Sequence, residues 1–303
     1  MALSEKIQKL KKEKEAIILA HNYQRSEIQD IADYVGDSIE LSRKASEEKD
    51  AKIIVFSAVD FMAESAAILN PEKKVLLPCL GARCPMAEML TVEEIKRAKT
   101  KYPNAPVVLY VNTLASCKAE SDICCTSANA VEVINSLDAE TILFGPDKNL
   151  ADYVSEKTGK KLIPIPENGF CPTHLFFQPE EVAVLKMQHP DAIVMVHPEC
   201  SHEMRKVADF IGSTSKICRY TKESHAKDFI IATEEGILHR LRKENPKKNF
   251  YLAYQRAICP NMKLTTLDIL YSALKEEKYV VKVPEAIAEK ARVSLDRMFK
   301  VKS

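Results

Sequence analysis

Three Cys-Pro pairs, Cys84-Pro85, Cys171-Pro172 and Cys259-Pro260, stand 87 and 88 residues apart in the chain. Cysteine thiolates suit iron–sulfur, zinc or copper, so three of them in period point to one shared metal centre. A [4Fe–4S] cluster normally takes four cysteines. Three protein ligands would leave one iron not ligated by protein, free to act as a Lewis acid on a carbonyl, imine or hydroxyl oxygen. Structural zinc with His174 as fourth ligand is the alternative on these residues alone. The chain has no CxxxCxxC triplet, which disfavours a radical-SAM enzyme.

A second set of reactive side chains closes three apolar runs. AIILAHNY, from Ala16, ends in His21, Asn22 and Tyr23. VVLYVNT, from Val107, carries Tyr110, Val111 and Asn112, and AIVMVHPE, from Ala192, carries His197, Pro198 and Glu199. In parallel α/β sheets ligands bind beyond the carboxyl ends of strands. His21, His197, Glu199, Tyr23 and Tyr110 are side chains that work as general acids and bases, although a strand-end tyrosine also serves as a core aromatic. Hydroxyl-rich breaks follow each run: VGDS ending at Ser38, CCTS ending at Ser127 and GSTS ending at Ser215. Ser38, Ser127 and Thr214 are therefore candidate helix N-caps. An N-cap can also border an anion site, because exposed backbone N–H groups bind carboxylate or phosphate. Only seven glycines occur, with neither GxGxxG nor GxxxxGK[ST], so no Gly-rich loop is available for that task.

The elements that position these residues repeat with the cysteines. Lys73-Lys74, Lys160-Lys161 and Lys247-Lys248 open the apolar runs VLLPC, LIPIP and NFYLAY at intervals of 87 and 87. Two markers with one period imply three copies of one unit. Further strand candidates are KIIVFSA from Lys52, TILFGPD from Thr141 and DFIIATEEG from Asp228. All are continuous aliphatic runs, as expected of parallel strands buried on both faces. Between them lie helices with start and stop signals: Asp60 and Asp147 as N-caps, Pro179 in a first turn and Gly159 past a helix end. The fold class expected is α/β: three pseudo-equivalent three-layer α/β/α sandwich domains with parallel sheets around a pseudo-threefold axis. The repeats are expected at 1–84, 85–171 and 172–274, with the tail 275–303 closing back onto the first. In the last part we expect a helix over Leu264–Leu274, a strand over Tyr279–Val283, and a final amphipathic helix opened by Pro284. Ala288, Ala291, Leu295 and Met298 share one face of that helix. A proline after each cysteine suits the first turn of a helix, whose positive end would face an anionic cluster.

The bulk numbers exclude several classes. The 303 residues are 46% hydrophobic and 29% charged, with a formal net charge of +1, which describes a globular chain. That balance gives no reason to expect nucleic acid or an anionic membrane as partner. No apolar run suits a signal peptide or a bilayer span, so a cytoplasmic protein is expected. Nine cysteines then argue for metal or redox chemistry over a disulfide framework. Cys79, Cys117, Cys200 and Cys218 lack repeat equivalents and read as bystanders, as do the adjacent Cys124 and Cys125. His189, His225 and His239 receive no role.

Longer segments carry a resemblance. HNYQ at His21, VGDSIELSR at Val35, FMAES at Phe61, YVNT at Tyr110 and KAESDICCTSANAV at Lys118 resemble the quinolinate synthase family. So do CPTH at Cys171, HPEC at His197, DFIGSTS at Asp209, ATEEGILHRL at Ala232 and CPNMKLTTL at Cys259. The resemblance runs in order through nearly the whole chain. It implies three similar α/β/α domains around a [4Fe–4S] cluster, with Cys84, Cys171 and Cys259 as ligands and one iron open. It further implies condensation of iminoaspartate with dihydroxyacetone phosphate to quinolinate, with loss of phosphate and water, for NAD biosynthesis. His21, Ser38, Tyr110, Asn112, Ser127, His197, Glu199 and Thr214 would hold the substrates or move protons, with Val111 and Pro198 among the binding positions. Tyr23 would assist isomerisation of the triose, and an aspartate oxidase or dehydrogenase would supply the imine. One departure stands out: Cys259-Pro-Asn-Met262 lacks the CxxC found around the third ligand in some members. Two other classes use the same residues differently. An iron–sulfur carrier or sensor would need no deep pocket, and a hydrolase or transferase would use Cys171 and His174 as nucleophile and base.

Overall fold

The computed structural model describes residues 2–301. Twelve strands form three four-stranded, all-parallel sheets. The first contains β1 (Ala16–His21), β2 (Tyr34–Gly36), β3 (Ile53–Ser57) and β4 (Lys74–Leu76). The second contains β5 (Val107–Tyr110), β6 (Ile123–Cys125), β7 (Thr141–Gly145) and β8 (Lys161–Pro164). The third contains β9 (Ile193–Val196), β10 (Phe210–Ile211), β11 (Asp228–Ala232) and β12 (Asn249–Leu252). All three share one spatial order, second-first-third-fourth, and helices flank each, so the expected three α/β/α sandwiches are present.

Period-two alternation shows why each sheet needs two helical layers. In the first, Ile54 and Phe56 join one core while Ile53 and Val55 join another. In the third, Val194 and Ile230 face one core, Met195 and Ile231 the opposite one. One apolar core is common to the first and second sheets, holding Phe56, Val75, Val108 and Phe144 together with Ala291, Leu295 and Met298. The third sheet keeps separate cores and meets the others through polar contacts. Examples are Arg240 Nη1 donating to Asn22 Oδ1 (2.9 Å) and Asn149 Nδ2 donating to the Glu199 carbonyl (3.1 Å).

The repeat has physical markers that the sequence period only hinted at. Asp33, Asp122 and Asp209 each accept the backbone N–H of the residue fifteen earlier: Ile18 (2.7 Å), Val107 (2.7 Å) and Val194 (2.8 Å). Two of the three Lys-Lys pairs also have a structural reason, while Lys73 Nζ in the first is buried without a partner. Lys160 Nζ donates to the carbonyls of Ile134 and Leu137, and Lys248 Nζ to those of Thr221 and Ser224. Each thus neutralises the carbonyl end of a preceding helix.

Several expectations need correction. Each sheet has a fourth strand: β2 and β6 run into their polar breaks and β10 ends directly before its own; runs of two or three residues are too short to show a period. Asp147 is an N-cap, accepting from Leu150 N–H at 2.7 Å, and Gly159 ends that helix at φ 71°. Asp60 is instead the first residue of helix Asp60–Leu69, with Val59 at the cap. Pro179 opens helix Pro179–Gln188, as expected. Of the three Cys-Pro pairs only Cys84-Pro85 starts an α-helix, Pro85–Glu88. The others lead into single 3-10 turns, His174–Phe176 and Met262–Leu264, too short to carry much dipole. The Leu264–Leu274 helix spans Leu267–Glu276. Residues Tyr279–Val283 form one antiparallel bridge, Val280 with Leu76, and no strand. The final helix runs Glu285–Lys300, with Ala291, Leu295 and Met298 buried and Ala288 half-buried against the same core. It packs on β6 and helix Ala115–Lys118 as well as on Asp60–Leu69, so it bridges the first two sheets. Among the described residues no helix is long and apolar enough to cross a membrane.

Candidate active site

One pocket gathers the strand ends of all three sheets. It encloses about 700 Å³ of space, open solvent at its mouth included. Cys84, Cys171 and Cys259, which follow the last strand of each sheet, supply one part of the wall. His21, Tyr23, Tyr110, Asn112, His197 and Glu199, which end or follow the first strands, supply another, and the two parts meet where Cys171, His174 and Glu199 bring ligand atoms within 4.8 Å of one another. Ser38, Ser127 and Thr214 complete the polar lining. Val111 and Pro198 are buried between lining residues, but their side chains do not line the pocket; Val111 N–H is already donated to the Cys125 carbonyl at 2.9 Å.

The three hydroxyls do not cap helices. Asp37 caps Ser38–Glu47, Asn129 precedes Ala130–Asn135, and Ser213 caps Thr214–Glu223. Ser38 and Thr214 therefore occupy first helical positions, with hydroxyls and first-turn N–H groups at the pocket. Thr214 Oγ1 accepts from Asn22 Nδ2 at 2.9 Å. Among the described residues no Lys or Arg lines the pocket, so a bound anion would be held by hydroxyls, helix starts and imidazole N–H groups.

Two histidines are alike in environment. Tyr23 N–H donates to His21 Nδ1 (3.2 Å) and Glu199 N–H to His197 Nδ1 (3.3 Å). A ring that accepts at Nδ1 and is neutral carries its proton on Nε2. Burial lowers both pKa values to about 3, despite the opposing charge of Glu199. Both rings are thus neutral N–H donors at working pH.

Glu199, fully enclosed, is the centre of a hydrogen-bond chain. Tyr110 O–H donates to Oε1 at 2.6 Å, and His174 Nδ1 lies 2.7 Å from Oε2. A carboxylate only accepts, so His174 carries its proton on Nδ1. With a neutral ring, His174 Nε2 accepts from Thr233 Oγ1 at 2.9 Å, and Thr233 in turn accepts from Tyr23 O–H at 2.6 Å. Burial would raise the Glu199 pKa, but His174, His197 and the Tyr110 hydroxyl hold it below the ordinary carboxylate range. Burial and the Glu199 charge push both tyrosines well above theirs. Asn112 Oδ1 is buried without a partner, an acceptor waiting for a donor. Sequence reasoning missed Thr233 and gave His174 only a metal or base role. Neither carries a local signal, because their function depends on a contact across 59 residues.

The three thiols are not drawn together around one point as the ligands of a single ion are. Around one zinc, sulfurs at about 2.3 Å from the metal lie about 4 Å apart. Among the described residues, the ligand groups gathered within 4.8 Å are Cys171–His174–Glu199 and Asp152–Glu156–His202, not the three cysteines. Burial raises all three thiol pKa values; the Cys84 and Cys259 charges raise that of Cys171 further, and Cys259 that of Cys84. A cationic centre is what would turn such thiols into ligands. The second group is surface-exposed and tied to Arg205. All nine cysteines are free. Cys117 and Cys200 donate to the carbonyls of Leu90 and Ala232 inside the cores, as bystanders do. His189 stacks on Tyr251 and His239 pairs with Asp30, outside the pocket.

Residues 5–300 match the family described as quinolinate synthetase A protein. The chain belongs to that family. It is 53% identical over 298 residues to a quinolinate synthase of Alkaliphilus metalliredigens, covering 98% of each chain. It is 52% identical over 301 residues to one from Pyrococcus horikoshii, covering 99% of each. A third, from Thermotoga maritima, is 50% identical over 297 residues, 98% of this chain and 99% of that one. These likenesses support quinolinate synthesis, an enzymatic step on small-molecule substrates, over a carrier or sensor role. The cysteine wall is compatible with iron–sulfur binding.

Proposed function

We propose that the chain is a transferase that condenses iminoaspartate with dihydroxyacetone phosphate to quinolinate, releasing phosphate and water, in NAD biosynthesis. The observation that carries this reading is a single pocket lined by three thiols, with the Tyr110–Glu199–His174 chain reaching Cys171 among them. Cys84, Cys171 and Cys259 would hold a [4Fe–4S] cluster with one iron not ligated by protein, which supplies a Lewis acid for a substrate oxygen. The remaining work falls to the chain. Ser38, Ser127, Thr214 and their helix starts receive carboxylates and phosphate, and the Nε2–H groups of His21 and His197 orient them. Asn112 Oδ1 accepts an N–H of the nitrogen-bearing substrate. Glu199, ionised and buried, takes a proton from the condensing carbon skeleton, and Tyr110 and His174 stabilise it before and after. Tyr23, linked to His174 through Thr233, stands at the other end of the chain and serves the triose isomerisation. An oxidase or dehydrogenase acting on aspartate would supply the imine.

The 3.1 Å approach of His174 Nδ1 to Cys171 Sγ favours one rival, a Cys–His nucleophile pair. That rival needs a thiol with a lowered pKa, and here burial, Glu199 and the neighbouring cysteines raise it. Anaerobic protein assayed with both substrates, with iron and sulfide measured on the same sample, tests the proposal. Quinolinate formation with about four irons per chain is expected. Turnover in air by iron-free protein, abolished by alkylating one thiol, would favour the rival.

A further inference from the structure

Each of the three cysteines has its backbone N–H held by a carboxylate that follows the third strand of its own sheet. Asp60 Oδ1 accepts from Cys84 N–H at 3.1 Å, Asp147 Oδ2 from Cys171 N–H at 3.0 Å, and Glu234 Oε1 from Cys259 N–H at 3.0 Å. The same three segments are joined a second time. Asp60, Lys148 and Glu235 donate their N–H groups to the carbonyls of Ala82, Gly169 and Ala257, each two residues before a cysteine, at 2.9, 2.9 and 3.0 Å.

Every carboxylate also grips the start of its own segment. Asp60 accepts from Phe61 N–H, Asp147 from Leu150 N–H, and Glu234 from Gly236 N–H. Each one therefore clamps the cysteine turn to the rigid end of a central strand. Asp147 and Glu234 are fully buried. Lys263 neutralises Glu234 at 3.0 Å, and Arg83 stands 3.7 Å from Asp60. No ion pair to Asp147 is found among the described residues. A buried carboxyl group costs stability unless it is hydrogen-bonded, and here the same pair of bonds recurs in all three repeats.

We infer that Asp60, Asp147 and Glu234 are positioning residues for the metal-binding thiols, one per repeat, fixing each cysteine backbone so that its sulfur points into the pocket. The inference rests on the three cysteines being the cluster ligands. Partners of this kind, behind the direct ligands, typically alter metal affinity by about 10–100-fold when removed.

The test reconstitutes wild-type, Asp147→Asn, Asp60→Asn and Glu234→Gln proteins anaerobically, then follows iron release to a chelator. Apoprotein melting and the visible spectrum are recorded on the same samples. Thr91→Ala, which removes a helix cap on Val92–Lys101 away from the pocket, measures what lost stability alone does. Iron release about tenfold or more faster than wild-type, with apoprotein melting no lower than that of Thr91→Ala, is the expected result. Wild-type release rates in variants that fold would overturn the inference while leaving the cluster reading intact. Faster release that only tracks lowered melting, as in Thr91→Ala, would reduce the carboxylates to ordinary caps and also overturn it. Asp60, half-buried, keeps the test open if a buried variant fails to fold. Wild-type protein that takes up no iron would remove the cluster reading and this inference together.

Discussion

Past β4, β8 and β12 the three repeats place the same Cys-Pro pair, whereas past β1, β5 and β9 they place His21-x-Tyr23, Tyr110-x-Asn112 and His197-x-Glu199. Both walls arise from one topology used three times. A centre that accepts like donors from three directions can be met by three equal arms. A substrate with two carboxylates, a phosphate and a nitrogen has no such symmetry, so its wall needs three different arms. Symmetry retained on one wall and lost on the other thus separates metal holding from substrate chemistry.

The largest effects should come from breaking the symmetric wall. Cys84→Ala, Cys171→Ala and Cys259→Ala should each give cluster-poor, inactive protein, and to similar extents. Iron analysis checks this, and full iron retention by any one variant would remove that residue from the ligand set. Tyr110→Phe on the asymmetric wall, and His174→Gln where that wall meets Cys171, should keep iron but lower turnover by about 100-fold or more, as for displaced acid–base groups. Iron content and turnover from the same preparation distinguish the two walls.

Smaller changes are expected at the hydroxyls. Ser38→Ala and Ser127→Ala should raise KM by about tenfold with iron unchanged, the scale of one hydrogen bond to a charged group. Steady-state kinetics with each substrate varied in turn would assign each hydroxyl to an anion. The smallest effect on turnover concerns pH. His21 and His197 titrate near 3 when folded and near 6.5 when unfolded. Below pH 6.5 the unfolded chain binds protons that the folded one refuses. Apoprotein stability should therefore fall as pH drops from 6.5 toward 3, by about 1.4 kcal/mol per pH unit for each ring. These rings contribute no activity change between pH 8 and 6, because both stay neutral in the fold. Denaturant melts across pH, and NMR of the two imidazoles, read both expectations.

Much of this was legible in the sequence because it repeats. The period of Cys84, Cys171 and Cys259, with the Lys-Lys pairs, predicted three parallel α/β units and the convergence of strand ends. What stayed hidden depends on contacts or on lengths below a period. Strands β2, β6 and β10 are too short to alternate. Thr233 matters only because Tyr23 and His174 arrive beside it from distant segments. Asp60 and Asp147 read as helix caps, since a sequence does not show that a carboxylate's second bond goes to a cysteine 24 residues away. Tyr279–Val283 read as a strand from its valines, yet it forms only one bridge at the edge of the first sheet.

The separation of the two walls is tested most directly by Glu199→Gln, with iron content and quinolinate formation measured on one anaerobic sample. The account predicts a folded, brown protein with wild-type iron and turnover reduced by about 100-fold or more. Loss of iron together with turnover would contradict it, because Glu199 would then belong to a metal site with Cys171 and His174, and the two walls would be one.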